Sequence, residues 1–229
     1  GDIKIFMRTL LTLLLAVILT ATASAQTNDK IIIGKRDTVH SKILNEDRVV
    51  WVYTPGIRNG AVPAGQRYPV LYLLDGDGHF ESVVGLIQQL GQSNAMMPEM
   101  IVVAIPNTNR TRDLTPTHIS SDPPMMDSNF SASSGGGENF AGFIEKELMP
   151  HVESHYPTQP YKLLIGHSFG GLEVMHILTN HTKLFNAYIA IDPSMWYDKE
   201  KYLKTIENKL ATQKFDGAAL YVGIANTLP

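Results

Sequence analysis

The residue in this sequence with the clearest potential for catalysis is Ser168, which lies between Gly166 and Gly170. Five residues match the pattern G-x-S-x-G: Gly166, His167, Ser168, Phe169 and Gly170. In the nucleophile elbow that this pattern describes, the serine takes a strained backbone angle at a sharp turn, and the glycines stand where a side chain would collide. We therefore predict that Ser168 is the nucleophile of an acyl-transfer reaction. The alternative is a chance match in an ordinary glycine-containing turn.

A strand and a helix are predicted to hold this serine in place. Residues 161–165 are typical of a buried strand and residues 172–178 of a helix, so the turn between them contains Ser168. In an elbow of this kind the backbone N–H of Phe169 points at the incoming acyl oxygen.

The rest of the chain alternates strand-like and helix-like segments. Strands are predicted at residues 30–44, 47–54, 69–74, 100–105, 187–191 and 218–224, and helices at 80–90, 140–152 and 202–210. A polar segment, residues 106–137, interrupts the alternation, as functional or mobile loops do. The alternation predicts an α/β fold, in which a mostly parallel sheet carries helices on both faces and binds ligands at the carboxyl ends of its strands.

The composition indicates one globular domain. A chain of 229 residues, 44% of them hydrophobic and 18% charged, can bury one substantial core. The net charge of −3 gives no broad attraction to nucleic acid. Because the chain has no cysteine, thiol nucleophiles, thiolate metal sites and disulfides are excluded.

Residues 1–25 are predicted to be a signal peptide, with residues 1–6 as an upstream extension. Met7 and Arg8 open a positive region, residues 10–19 are mostly apolar, and small residues end at a cleavage site after Ala25. A transmembrane anchor is the alternative, but the apolar run is shorter than the roughly 20 residues that a span needs. We therefore expect a domain at residues 26–229 in a periplasmic or secreted protein, without a stable membrane anchor after cleavage.

Five segments together resemble the "putative esterase" (esterase D-like) family of α/β-hydrolases, and most closely its siderophore-esterase-like branch. They are residues 68–76, 109–116, 136–140, 166–171 and 191–196, in the family's order. The resemblance implies an α/β-hydrolase fold and a serine hydrolase of small carboxylic esters or thioesters, without a metal or organic cofactor. It also implies an oxyanion hole formed by the backbone N–H groups of Phe169 and Asp77. For Asp77 the alternative is a plain turn.

The base and the acid that should activate Ser168 are not evident in the sequence. In α/β-hydrolases the chain order is serine, acid, histidine, and the family pattern places the last two after residue 224. No histidine follows His181. We therefore expect a C-terminally incomplete domain that lacks its last strand and helix, with the acid and the histidine beyond Pro229. In this form the chain should be inactive or nearly so.

Histidines and an aspartate within the chain are alternative candidates for these two roles. His167 should turn its ring away from Ser168, because adjacent side chains diverge at a tight turn. His79 and His118 could approach the site, and Asp192 could orient a base from the end of its strand.

Two arginines and a tryptophan are the candidate substrate ligands. Arg110 and Arg112 follow a strand's carboxyl end, where each could bind a carboxylate or phenolate oxygen. A salt bridge with Asp113 is the alternative for these arginines. Trp196 could wall an acyl or aromatic pocket, or pack in the core. Two other functions remain open, a non-catalytic binding protein on a hydrolase scaffold and an acyltransferase that uses the same nucleophile.

Overall fold

The computed structural model describes residues 31–56 and 64–225, together with Lys4. The chain divides into the units Gly1–Ile32 and Ile33–Pro229, and every element named here belongs to the second unit. Apart from Lys4, the predicted signal peptide lies outside the described residues, and so does part of the predicted loop at residues 55–66.

A seven-stranded sheet forms the centre of this unit. The strands are β1 (Lys35–Ser41), β2 (Glu46–Tyr53), β3 (Tyr68–Leu73), β4 (Ile101–Ala104), β5 (Thr158–His167), β6 (Ala187–Ile191) and β7 (Ala219–Gly223). Their order is β1-β2-β4-β3-β5-β6-β7. Only β2 pairs antiparallel, with β1 and β4, and all other pairs are parallel. The prediction of a mostly parallel sheet is confirmed.

Seven α-helices accompany these strands in the described part of the chain. They are α1 (Gly76–Gln88), α2 (Arg110–Asp113), α3 (Phe130–Ser133), α4 (Gly137–Phe143), α5 (Met149–His155), α6 (Phe169–Asn180) and α7 (Lys201–Thr212). A π turn at Ile144–Leu148 joins α4 to α5, another at Gln89–Ser93 follows α1, and a 3-10 turn at Tyr197–Glu200 precedes α7.

The apolar pattern of the central strands explains why helices cover both faces of the sheet. Every residue of β3 and β4 is buried, which is the pattern of strands covered on both sides. On one face α1 packs Phe80, Val84 and Ile87 against the strands. On the other face α4, α5, α6 and α7 bury a larger apolar cluster. The prediction of helices on both faces is confirmed.

A buried ion-pair cluster fixes the short helix α2. Arg48 on β2 is 1% exposed and lies 2.5 Å from a carboxyl oxygen of Asp113 and 2.9 Å from Glu46. Arg112 contacts the same two acids, each at 2.7 Å. The hydrogen bonds that Arg112 donates to Glu46, and then to Asp113, raise the pKa of Arg112 above its usual range. Arg48 and Asp113 are buried charges, and removing either one would take a compensating partner from the other, so the cluster pins α2 to β2.

The outermost strand, β7, differs from the central ones because its apolar side chains face solvent. Leu220 is 40% exposed, Tyr221 63% and Val222 41%. In the described part of the chain, β7 pairs with β6 and with no other strand. This side of the sheet therefore presents both a free edge and an uncovered apolar surface.

Glu173 interrupts an otherwise buried helix. Eleven of the twelve residues of α6 are buried, Glu173 among them, and neither of its carboxyl oxygens has a hydrogen-bond partner in the described part of the chain. One oxygen lies so close to Gly137 that an added Cβ there would collide with it. Burial, reinforced by the nearby Glu138 and Asp113, raises the pKa of Glu173 well above its usual range.

Replacing Glu173 by glutamine is expected to change how stability depends on pH. The unfolded carboxyl ionises above about pH 4.3. The folded carboxyl has a raised pKa, so stability is full below the unfolded pKa and declines as the pH rises toward the folded pKa. Glutamine does not titrate, so relative to the unsubstituted protein the variant should gain free energy of unfolding as the pH rises from about 4 to about 8.

Urea unfolding across this pH range measures the gain. Glu207→Gln, which replaces an exposed carboxylate on α7, is the matched control and should leave the pH dependence unchanged. The same dependence of unfolding free energy on pH in Glu173→Gln and in the unsubstituted protein would contradict the prediction.

Candidate active site

The turn between β5 and α6 holds Ser168 in a strained conformation. Ser168 has φ 57° and ψ −117°, a region that residues with side chains rarely occupy. A Cβ at Gly166 would collide with the carbonyl oxygen of Gly170, and a Cβ at Gly171 would lie 2.9 Å from Cα of Pro193. The strained turn that the glycine pattern predicts is thus present, at the carboxyl end of a central strand.

Residues at the end of β6 and just after it hold this turn in place through hydrogen bonds. The backbone N–H of Ser168 donates to the carbonyl oxygen of Ile191 at 3.0 Å, and the N–H of Ser194 donates to the carbonyl oxygen of Ser168 at 3.1 Å. The two hydroxyl oxygens, Oγ of Ser168 and Oγ of Ser194, lie 3.2 Å apart. Ser168 is therefore held through its backbone on both sides and through its side chain.

Two backbone N–H groups at neighbouring helix starts fit the predicted oxyanion hole. Phe169 is the first residue of α6, Asp77 lies in the first turn of α1, and neither N–H has a partner in the described part of the chain. Helix starts leave such donors free. The two starts are close, because a Cβ on Gly170 would lie 3.1 Å from a carboxyl oxygen of Asp75.

The helix α1 begins four residues earlier than predicted. Asp75 takes the left-handed conformation, with φ 52° and ψ 44°. The N–H of Gly76 then donates to the carbonyl oxygen of Ile105 at 2.9 Å, which ties this turn to the end of β4. This turn places Asp77 at the helix start.

The two candidate arginines differ in their surroundings. Arg110 is held by Asp75, with Nε 2.6 Å from Oδ1 and Nη2 3.0 Å from Oδ2, and its side chain is 37% exposed. Its guanidinium lies 5.2 Å from the centre of the Phe169 ring, beside the elbow. Arg112 instead belongs to the buried cluster with Glu46 and Asp113, the salt-bridge alternative that the sequence left open.

Trp196 lines a cavity and lies next to Phe169 of the elbow. Its ring centre is 5.6 Å from that of Phe169, and the residue is 38% exposed. The cavity has a volume of about 230 Å³ and is also lined by residues 119–125, Asp198, Lys199 and Lys201. It combines an aromatic and apolar wall with two ammonium groups and two carboxylates, Asp122 and Asp198, and Lys201 pairs with Asp198 at 3.4 Å.

No histidine lies within hydrogen-bond distance of Ser168, although all eight histidines fall in the described ranges. The rings of His167 and His79 contact each other, with centres 5.9 Å apart. His118 bonds to Ser134. The other histidines have acidic or neighbouring polar partners elsewhere: His40, His151, His155, His176 and His181. In the described part of the chain, the side chain of Asp192, the candidate orienting acid, accepts one long hydrogen bond, from the N–H of Ala225 at 3.4 Å.

The described residues contain neither a metal-binding cluster nor a helix that could span a membrane. No group of three or more histidine, aspartate or glutamate side chains there could hold a metal ion. No helix in the same ranges is long and apolar enough to cross a membrane.

Three residues at the site were not singled out from the sequence. Asp75 orients Arg110, Asn107 donates to both Asp75 (2.7 Å) and Asp77 (3.1 Å), and Ser194 contacts Ser168. A common signal could have found them, because each follows the carboxyl end of a strand, where ligands of parallel sheets bind.

The fold and the elbow together define an α/β-hydrolase, and comparison with known proteins gives its family. The family model described as "Putative esterase" matches residues 41–224. The chain therefore belongs to this esterase family, and the predicted resemblance is confirmed.

Named relatives are esterases and serine hydrolases. The chain is 31% identical to "Ferri-bacillibactin esterase BesA" of Bacillus subtilis, over 79% of this chain and 66% of that protein. It is 32% identical to "Apo-salmochelin esterase" of Escherichia coli, over 64% of this chain and 46% of that protein. An IroE-like serine hydrolase from Shewanella oneidensis has a similar structure, with a TM-score of 0.78 and 37% identity over 84% of this chain and 61% of that one. The chain thus spans about half to two thirds of these relatives.

Proposed function

We propose that the protein hydrolyses carboxylic esters through an acyl-enzyme on Ser168. The strained backbone of Ser168 at the carboxyl end of β5 carries this proposal. As Oγ bonds to the acyl carbon, the carbonyl π electrons move to its oxygen and the Ser168 proton passes to a base. The alcohol leaves with that proton. Water then attacks the acyl-enzyme and gives a proton to the base, and the base returns this proton to Oγ of Ser168 as the acid is released.

Stabilisation of the tetrahedral state is assigned to the N–H groups of Phe169 and Asp77. Both are free donors at helix starts, so the positive ends of two helix dipoles also face this region. Such donors act where charge develops in the transition state, and the loss of one costs about 2.7–4 kcal/mol of barrier.

The base and the acid are proposed to lie in residues that follow Pro229. Two observations support this proposal. No histidine of the chain lies within hydrogen-bond distance of Ser168, and β7 offers a free edge with exposed apolar side chains on which a further strand can pair. A form of the protein that continues beyond Pro229, the extended form, is therefore the one expected to turn over esters.

The substrate is proposed to be a small ester with an anionic or aromatic part, such as a siderophore ester. Relatives are named as esterases of ferri-bacillibactin, of apo-salmochelin and, in two cases, of siderophores. On this chain, Arg110 lies beside the elbow, and the cavity offers the aromatic wall of Trp196 and the ammonium group of Lys199 to such a group. Export to the periplasm or exterior, from the leader at residues 1–25, remains part of the proposal.

Replacing Arg110 by alanine is expected to lower kcat/KM about 10- to 100-fold for an ester with a carboxylate or phenolate, since a hydrogen bond to a charged group contributes about 1.5–3 kcal/mol. A neutral ester of the same size should lose much less. Arg110→Lys keeps the charge but loses the bidentate contact with Asp75. Its kcat/KM for the anionic ester should therefore lie between those of the unsubstituted protein and Arg110→Ala. Steady-state kinetics of both esters in the extended form give the result. Equal losses for both esters would contradict this role.

Hydrolysis of p-nitrophenyl acetate by the extended form and its Ser168→Ala variant tests the proposed function. Loss of turnover in the variant supports it, and unchanged turnover refutes it. Product analysis with added alcohols separates hydrolysis from acyl transfer, because a transferase forms a new ester in place of the free acid. An inactive extended form that still binds the ester would instead indicate a binding protein.

A further inference from the structure

We propose that Ser194 is a positioning residue whose hydroxyl donates a hydrogen bond to Oγ of Ser168 and stabilises the charge that develops there during attack. The inference rests on the proposed function of Ser168 as a nucleophile. It starts from the 3.2 Å contact between the two hydroxyl oxygens, the one side-chain hydrogen bond of Ser168 in the described part of the chain.

The backbone around Ser194 aims its side chain at Ser168. Its N–H donates to the carbonyl oxygen of Ser168 at 3.1 Å, and its own carbonyl accepts from the N–H of Tyr197 at 3.1 Å. The preceding Pro193 packs against Gly171 in the first turn of α6. Ser194 is only 4% exposed, so its hydroxyl has little water to bond with. The contact is therefore built into the fold of the turn after β6.

The direction of the hydrogen bond follows from the chemistry. Ser168 must give its own proton to the base, so the Ser194 hydroxyl can take part during attack only as the donor. Oγ then uses one lone pair to attack the acyl carbon and another to accept from Ser194. A hydrogen bond to an oxygen that gains negative charge is stronger and shorter than one to a neutral hydroxyl. The distance of 3.2 Å in the free protein allows this tightening.

The interaction should therefore act on rate more than on substrate binding. It gains strength between the ground state and the transition state for acylation, and an interaction of that kind raises kcat without lowering KM. It weakens again in the acyl-enzyme, where Oγ is an ester oxygen. Removing the hydroxyl should slow acylation about tenfold, as expected for the loss of one hydrogen bond that becomes charge-assisted.

Pre-steady-state acylation of the extended form by p-nitrophenyl acetate tests this role in Ser194→Ala and Ser194→Thr. The alanine variant keeps the backbone bonds and loses only the hydroxyl. We expect its acylation rate to fall about tenfold, its KM to stay within about twofold and its melting temperature to change by no more than about 4 °C. The threonine variant keeps a donor and should recover most of the rate. Ser41→Ala, a buried serine on β1 bonded to Glu147, is the matched control and should keep the full rate.

The outcomes separate this inference from the proposed function. An unchanged acylation rate in Ser194→Ala overturns the inference. So do equal losses in the alanine and threonine variants with lowered melting temperatures, since these indicate packing alone. If Ser168→Ala retains the full rate, the proposed function itself is wrong, whatever Ser194 does.

Discussion

Replacing Ser168 by alanine is expected to lower kcat for ester hydrolysis in the extended form by about 10⁶, because removal of the serine nucleophile has an effect of this size in a well-studied serine protease. Without Oγ no acyl-enzyme can form. KM should change little, since the free N–H groups of Phe169 and Asp77 and the cavity beside Trp196 do not depend on this hydroxyl. Steady-state hydrolysis of p-nitrophenyl acetate measures both constants.

A matched serine variant is the control for a loss of activity that is caused by misfolding. Ser82→Ala removes a hydroxyl on the solvent side of α1, where Oγ bonds only to the carbonyl oxygen of His79, and it should keep full activity. Ser168→Ala should unfold at the same temperature as the unsubstituted protein, or slightly higher, because alanine retains the backbone clamp of Ile191 and Ser194. A loss of less than about tenfold in kcat would mean that another group attacks the ester.

Adding the residues that follow Pro229 is expected to raise ester hydrolysis by a factor of up to about 10⁶, the size of the loss on removing the histidine of a serine triad. In residues 31–56 and 64–225, Ser168 has only another hydroxyl as its side-chain partner, and a hydroxyl cannot act as the general base at neutral pH. The measurement compares the turnover of p-nitrophenyl acetate by the two forms of the protein.

The control for this comparison is the extended form with the histidine of its added segment replaced by alanine. It should fold like the extended form and hydrolyse like the chain that ends at Pro229. The added residues should also lower the exposure of Tyr221 on β7, which is 63% exposed without them, and thereby quench or shift its fluorescence. Equal turnover by the two forms would contradict the proposal that the base lies in residues after Pro229.

The elbow could be predicted from the sequence because its rule is local. The two glycines, the serine and the flanking apolar patterns together require a strand, a strained turn and a helix within about twenty residues. The structure has them at β5, Ser168 and α6. The central strands were equally predictable, since β3 and β4 are continuous apolar runs that only a doubly covered sheet can bury.

The fate of each arginine depended on contacts that are distant along the chain. Arg110 and Arg112 are two residues apart and look alike in sequence, yet one is held by Asp75 beside the elbow and the other by Glu46 on β2. Glu46 is 66 residues away from Arg112 along the chain, so no local sequence pattern predicts this pair. Ser194 could not be predicted from a local pattern either, because its contact with Ser168 depends on the pairing of β5 with β6.

Glu173 illustrates a different limit. Within α6 a glutamate is a good helix former, and its place in the sequence gives no sign that both carboxyl oxygens lie without partners. The burial follows from the packing of α6 between the sheet, α4 and α7, which is a tertiary effect.

The most direct measurement of the central claim is covalent trapping of the extended form with a fluorophosphonate, followed by mass spectrometry of its peptides. The account predicts one adduct per chain, on the peptide that contains Ser168, together with complete loss of esterase activity. It also predicts no adduct in Ser168→Ala. An adduct on Ser194 or elsewhere, or an active protein that takes up no probe, would contradict Ser168 as the nucleophile.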